Sequence, residues 1–157
     1  MSHDAPSGRK YVSYNKKAFH DYEILEKVEA GIVLVGCEVK SIRQGHITIR
    51  ECYARIMDNE AWLLGCHILP YKEGNRNNVE SDRTRKLLLN RKQIDKLYGK
   101  VKEKGLVLVP IAVYFTKGLV KLEIGLGKPK KLYDKRVDLK KKESQREIEK
   151  GLKYKSR

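Results

Sequence analysis

Long apolar runs are missing from this 157-residue sequence. The longest, Leu106 to Phe115, has ten residues and is interrupted by Pro110. A bilayer-spanning helix needs roughly 20 apolar residues, so no membrane span is expected and no membrane partner. Met1 to Lys10 is polar and holds no apolar signal region. Both absences lead to the expectation of a soluble cytoplasmic protein. Cysteine is scarce: Cys37, Cys52 and Cys66 are odd in number, widely spaced and without a histidine at ligand spacing. They read as buried reduced thiols rather than a zinc site. Catalytic signatures are also missing. There is no HExxH and no GxSxG, and Gly125-Leu126-Gly127-Lys128 lacks both the preceding spacing and the following Ser or Thr of a phosphate-binding loop. No catalytic residue, metal or cofactor is assigned, and an enzyme is not expected.

What the chain does have is positive charge. It holds 35 Lys and Arg against 20 Asp and Glu, a formal net charge of +15. The segment 128–157 carries thirteen basic and five acidic residues, so it supplies eight units of that surplus. Its apolar residues, such as Leu132, Val137, Leu139, Ile148 and Leu152, are scattered among charges and cannot build a core. Such a segment is expected to be disordered alone and to become helical on a polyanion. For so basic a chain the expected polyanion is nucleic acid.

The middle of the chain can fold. Asn15 is placed to cap a short helix over Lys16 to His20. Tyr22 to Val28 reads as a strand, broken at Ala30-Gly31, and Ile32 to Val35 as a buried one. Val39 to Arg43 fits one or two helical turns. Cys52 to Met57 and Ala61 to Ile68 flank Asp58-Asn59-Glu60 as a hairpin, and Trp62 reads as a residue packed on it. The stretch 69–84 is irregular, the kind of long segment that is often mobile or functional. Lys86 to Leu89 is a short strand. Asn90 and Gln93 form a capping box, with Ile94, Leu97, Tyr98 and Val101 on one helical face and Gly105 ending it. Leu106 to Phe115 is a strand in which Pro110 demands an edge or a bulge. Val120, Leu122, Ile124 and Leu126 alternate as in a half-buried strand. The fold class predicted is mainly β with short helices: an OB-like barrel, closed or partly closed, plus a basic C-terminal tail. The divisions are a flexible arm at 1–14, a barrel at 15–127 and the tail at 128–157.

Four strings, NKKAFHDYEI from Asn15, EAGIVLVGCEVKSIR from Glu29, DRTRKLLLNRKQI from Asp82 and GLGKPKKLYDKR from Gly125, occur in this order. Together they make the chain resemble the SmpB (SsrA-binding protein) family over about Asn15 to Arg146. The resemblance implies an OB-type barrel that binds the tRNA-like domain of transfer-messenger RNA (tmRNA) and brings it to stalled bacterial ribosomes. The implied partners are tmRNA, small-subunit ribosomal RNA at the decoding region, and elongation factor Tu indirectly through charged tmRNA. The implied tmRNA-binding residues are Lys16, His20, Glu29, Asn90, Lys121 and Lys128. The implied ribosome-binding tail residues are Tyr133, Asp134, Lys135, Arg136, Lys140 and Arg146, the tail probing the decoding centre and the empty message channel. Lysines suit phosphates, and His20 suits a base or a 2′-hydroxyl. Glu29 repels phosphate, so it must accept from a base amine, a 2′-hydroxyl or a neighbouring Arg. Within the tail, Asp138 and Lys142, Glu143 and Arg146, and Glu149 and Lys153 are spaced as helical ion pairs. Pro129 departs from the family's pattern at the junction of barrel and tail. The alternative reading is a ribosomal or ribosome-assembly protein with the same barrel and an rRNA-binding tail.

Overall fold

Strand β1 (Arg9–Tyr14) leads directly into helix α1 (Lys16–Asp21), strand β2 (Tyr22–Ile32) and helix α2 (Gly36–Arg43). This is a computed structural model that describes residues 8–155, with the side chains of residues 75–77, 132–134 and 153–155 outside the described set. Short strands β3 (Ile47–Thr48), β4 (Tyr53–Met57), β5 (Glu60–Leu64) and β6 (His67–Ile68) follow, then a 3₁₀ turn over Lys72–Asn77. The second half holds β7 (Arg85–Leu88), α3 (Arg91–Lys104), β8 (Val107–Thr116), β9 (Leu119–Pro129) and α4 (Leu132–Lys155).

Six strands form a ring in the order β8-β4-β5-β7-β2-β9, with β9 returning to pair with β8. All its pairings are antiparallel. The ring is an only partly closed barrel, because β4 meets β8 at one bridge, Ala54 opposite Leu108. Beside this seam lies a cleft of about 560 Å³, lined in part by Tyr53, Tyr98 and Leu106. The interior is filled by Leu63, Leu87, Val113, Leu122, Ile124 and Leu126, all at most 2% exposed. Each such Leu or Ile stabilises the fold by roughly 1.5–3 kcal/mol.

Local signals in the sequence have local structural counterparts. The Asn15 side chain accepts from the Ala18 N–H at 3.3 Å and so caps α1. Asn90 and Gln93 exchange the two bonds of a capping box, and Gly105 ends α3 at φ 62°. Asp58 and Asn59 both take positive φ, which closes the β4–β5 hairpin in two residues. Pro110 sits at a bulge between β8 and β9. There the other edge of β8 changes partner from β4 to β1. Asn15 serves this irregular point, with its side-chain amide donating to the Pro110 carbonyl at 2.9 Å and its N–H to the Ile111 carbonyl at 2.7 Å.

The sequence reading needs correction in four places. Residues 9–14 are not a flexible arm: they pair with β8, Arg9 opposite Thr116 and Tyr14 opposite Ala112. Ala30-Gly31 does not break β2, since the missing Cβ at Gly31 faces the Leu88 side chain and lets β7 pack close. Only Ile32 of the expected strand 32–35 is extended sheet; Val33 and Val35 are exposed, and Val35 opens α2. The outer side of β9 is not solvated at Gly125 and Gly127. A Cβ at Gly125 would lie 2.6 Å from Ile111 Cδ1, and one at Gly127 would lie 3.0 Å from Tyr22 Cβ. Ile111, Ala112 and Tyr114, with Phe19 and Ile24, form a second small core there.

The tail forms one helix, α4, whose described residues are exposed beyond its base. The segment expected to be disordered when free is thus present in its helical form. Its expected Asp138–Lys142 pair gives way to a contact between Asp138 and Lys130, at the barrel's edge.

Buried charge fixes the irregular stretch 69–84. Arg85 is wholly buried and donates to the carbonyls of Cys66 (2.8 Å), Arg83 (3.0 Å) and Ser81 (2.9 Å) and to Glu38 Oε2 (2.7 Å). Glu38, 3% exposed, also accepts from Arg83 and from the Val35 N–H. One buried carboxylate thus ties α2 to β7 and to the loop before it.

Candidate nucleic-acid interface

The strand registers place a set of charged and aromatic side chains on one outer face. Across β2, β9 and β8, Glu29 stands opposite Glu123, Lys121 opposite Tyr114, and Tyr114 opposite Tyr11 of β1. Glu29 is exposed, and its Oε2 accepts from Arg9 Nη2 at 3.2 Å and from the Tyr114 hydroxyl. Arg9 Nη1 reaches Glu123 at 3.3 Å, and Lys27 Nζ lies 3.7 Å from the same carboxylate. The Arg9 guanidinium lies 4.4 Å from the centre of the Tyr114 ring, a cation–π arrangement. Burial and the Glu29 carboxylate push the Tyr114 phenol far above its ordinary value of 10.0, so its hydroxyl remains a donor throughout the physiological range. Of the three kinds of donor open to Glu29, the structure supplies a neighbouring Arg, and it adds a tyrosine.

Sequence reading missed Arg9, Tyr11 and Tyr114. Arg9 and Tyr11 lay in the supposed arm, and Tyr114 in the strand read over Leu106 to Phe115, where no site residue was assigned. The available signal was Lys10 to Tyr14, where two tyrosines and Val12 within five residues favour a strand.

Helix α1 supplies Lys16, exposed at its first residue, and His20 in its last turn. His20 Nδ1 lies 2.9 Å from Asp21 Oδ1, and Lys135 Nζ lies 3.3 Å from the same oxygen. The His20 contact and Lys135 hold the Asp21 carboxyl below its ordinary value against the opposing effect of burial. Phe19 between them carries Lys27 Nζ 5.4 Å from its ring centre.

Asn90 is exposed at the start of α3, its side chain spent on the cap. Its partner Gln93 and Glu29 line one shallow cleft between β2 and α3. Lys128 is exposed near the end of β9, opposite Glu23. The structure thus brings Glu29 and Lys121 together on the sheet, Lys16 and His20 together on α1, and Asn90 to the far side of the β2–α3 cleft.

In the tail, Lys135 is tied to Asp21. Arg136, Lys140 and Arg146 are exposed along α4. The side chains of Tyr133 and Asp134 lie outside the described residues. Lys130 anchors the junction: its N–H donates to the Asp21 carbonyl at 3.0 Å and its Nζ to the Phe19 carbonyl at 3.0 Å. Hydrogen bonding to Lys130 holds the Asp138 carboxyl below its ordinary range. Cys52 and Cys66 are buried free thiols. Among the described residues no group of three or more His, Cys, Asp or Glu is placed to hold a metal ion.

The model of one protein family, described as SmpB protein, matches residues 12–154. The chain belongs to the SmpB family. It is 57% identical over 150 residues to the SsrA-binding protein of Pelobacter propionicus, covering 96% of this chain and 99% of that one. To the SsrA-binding protein of Carboxydothermus hydrogenoformans it is 53% identical over 143 residues, covering 91% and 96%. Among solved structures, a chain described as "tmRNA-SmpB: a journey to the center of the bacterial ribosome" superposes with a TM-score of 0.64 at 46% identity, covering 76% of this chain and 85% of that one. The SmpB match begins inside β1, so Tyr14 lies within the family's span, while Arg9 and Tyr11 precede it.

Proposed function

We propose that this chain is an RNA-binding protein of trans-translation, which holds the tRNA-like domain of tmRNA on its barrel and brings it to stalled ribosomes. On this reading Glu29, Lys121, Lys16 and His20 meet the RNA, with Asn90 and Lys128 at the margins. The basic face of α4, with Lys135, Arg136, Lys140 and Arg146, enters the decoding region and the message channel. Tyr133 and Asp134 act at its base, and elongation factor Tu is engaged only through charged tmRNA. The names of the relatives and of the solved neighbour support tmRNA as the RNA. The observation that carries the reading is the double duty of α1. The helix that exposes Lys16 and His20 also holds the base of the tail through Asp21 and the Phe19 carbonyl. One element thus links the barrel surface to the basic helix.

A protein lacking residues 130–157 tests the division of labour. The core lies outside that segment, so the truncated chain folds and retains most of its affinity for tmRNA. It fails to support peptide tagging on stalled ribosomes. Tagging at the full-length rate refutes the role of the tail. Sequencing the RNA that co-purifies with the intact chain separates this reading from that of a ribosomal or assembly protein: tmRNA dominates in the first case, ribosomal RNA in the second.

A further inference from the structure

A bulge in β1 arranges a row of aromatic rings that the RNA-binding reading above does not use. Residues three apart on a regular strand point to opposite faces. In β1 the register with β8 shifts between Tyr11 and Ser13, so Tyr11 stands opposite Tyr114 while Tyr14 stands opposite Ala112. Tyr114 and Ala112 are two apart and share a face. The extra residue, Val12, therefore turns Tyr11 and Tyr14 to the same outer side, the re-aiming that bulges perform.

The consequence is a continuous set of rings. Tyr11 and Tyr14 have centroids 6.2 Å apart, Tyr11 and Tyr114 5.3 Å, and Tyr14 and Phe19 6.2 Å with planes within 11° of parallel. Tyr114 is fully buried, but Tyr11 and Tyr14 are 37% and 36% exposed. Cations border the row: Arg9 stands over Tyr114 and Lys27 over Phe19, while Lys16 is exposed where β1 leads into α1. The row runs from the Glu29–Arg9 contact to α1, between the two groups of residues assigned to tmRNA.

We propose that Tyr11 and Tyr14 form a stacking platform for an unpaired nucleotide of tmRNA, with Lys16 on a flanking phosphate. This rests on the proposed function. Exposed rings beside cations suit a nucleotide because a base offers a π-face and its phosphates a negative charge. A charge-poor apolar partner would leave Lys16 unused. The occupant is therefore nucleic acid, and it extends the proposed surface across β1.

The test is a salt-dependent titration of full-length tmRNA against the full chain and variants at both tyrosines. Joint Tyr11→Leu and Tyr14→Leu keeps apolar bulk without rings; joint Tyr11→Phe and Tyr14→Phe keeps the rings. The Leu variant is expected to bind about fivefold to a hundredfold more weakly, roughly 1–3 kcal/mol at 1.4 kcal/mol per factor of ten. The slope of log K against log salt stays that of the unaltered chain, because no phosphate contact is removed. The Phe variant binds near normally. In tmRNA transcribed with 5-iodouridine, photocrosslinks fall on Tyr11 or Tyr14. A Leu variant with unchanged thermal midpoint and unchanged affinity overturns the platform while leaving tmRNA binding intact. Loss of ribosome binding with tmRNA affinity unchanged also overturns it, by assigning the face to another partner. If the unaltered chain does not bind tmRNA, the function and the platform fall together.

Discussion

Glu38→Gln tests how the stretch 69–84 is held in place. The carboxylate is 3% exposed and faces Arg85, which is wholly buried, while Arg83 and the Val35 N–H complete its bonds. The amide keeps the shape and one oxygen acceptor but removes the charge that balances Arg85. Breaking a buried ion pair from one side costs about 3–5 kcal/mol. Arg85 retains three carbonyl acceptors here, which puts the expected loss near the lower end, about 3 kcal/mol. For a chain of this size that is a fall in thermal midpoint of roughly 6–12 °C. Acid provides an internal control. Burial pushes the Glu38 carboxyl up, but the bonds from Arg83, the Val35 N–H and Arg85 more than reverse this and leave it below its ordinary 4.5. A carboxyl depressed by folding contributes stability above its unfolded value, and that contribution is lost as pH falls through the folded value. The gap between the unaltered chain and Glu38→Gln is therefore widest near neutrality and closes in the acid range. Thermal melts by circular dichroism from pH 7 downward read this directly. A drop below about 2 °C at pH 7, or a gap that does not narrow on acidification, refutes the account.

Arg9→Ala and Glu29→Gln should each weaken tmRNA binding, and their double variant should lose less than the sum, by about 0.5–1 kcal/mol for a partly exposed pair; strict additivity in a titration would show that Arg9 does not position Glu29. Gly125→Ala forces a methyl against Ile111 and Ile24 and should cost about 1–3 kcal/mol in urea unfolding, whereas Gly99→Ala, with open space at its Cβ in α3, should be neutral or stabilising. A peptide of residues 130–157 should show little helix by circular dichroism in low salt and gain it on adding tmRNA or ribosomes, because its exposed ion pairs are too weak to hold an isolated helix; a fully helical free peptide contradicts that.

Features that depend on neighbours in sequence were legible: the Asn15 and Asn90 caps, the Asp58-Asn59 turn, the Gly105 stop and the alternation in β9. Features that depend on distant partners were not. The tyrosines and Val12 of β1 hint at a strand, but what holds it in the sheet is a ladder partner about a hundred residues away, at 112–116. Glu38 and Arg85 look like ordinary surface charges until the fold buries them together. Gly31 looks like a strand breaker until Leu88 is placed against it. The interface divides the same way. The family resemblance pointed to Glu29 and Lys121, but the Arg9 and Tyr114 that orient Glu29 are defined only by register, and Tyr11 and Tyr14 share a face only because of the bulge between them.

The attachment of Lys130 to α1 has a mechanical meaning. Twenty-four residues of helix extend from this point, a rod of about 36 Å at 1.5 Å per residue. Its base is gripped at the Phe19 and Asp21 carbonyls, at the Asp21 side chain, and through Asp138 back to Lys130. A rod held only at one end magnifies angles: a tilt of about 10° at α1 would carry its tip through about 6 Å at that length. Where RNA holds the tail helical, a molecule seated on Lys16 or His20 would therefore aim its far end. In that bound form small adjustments in seating on the barrel would become differences of a nucleotide's width at the tip, with the six-residue α1 as the fulcrum between them.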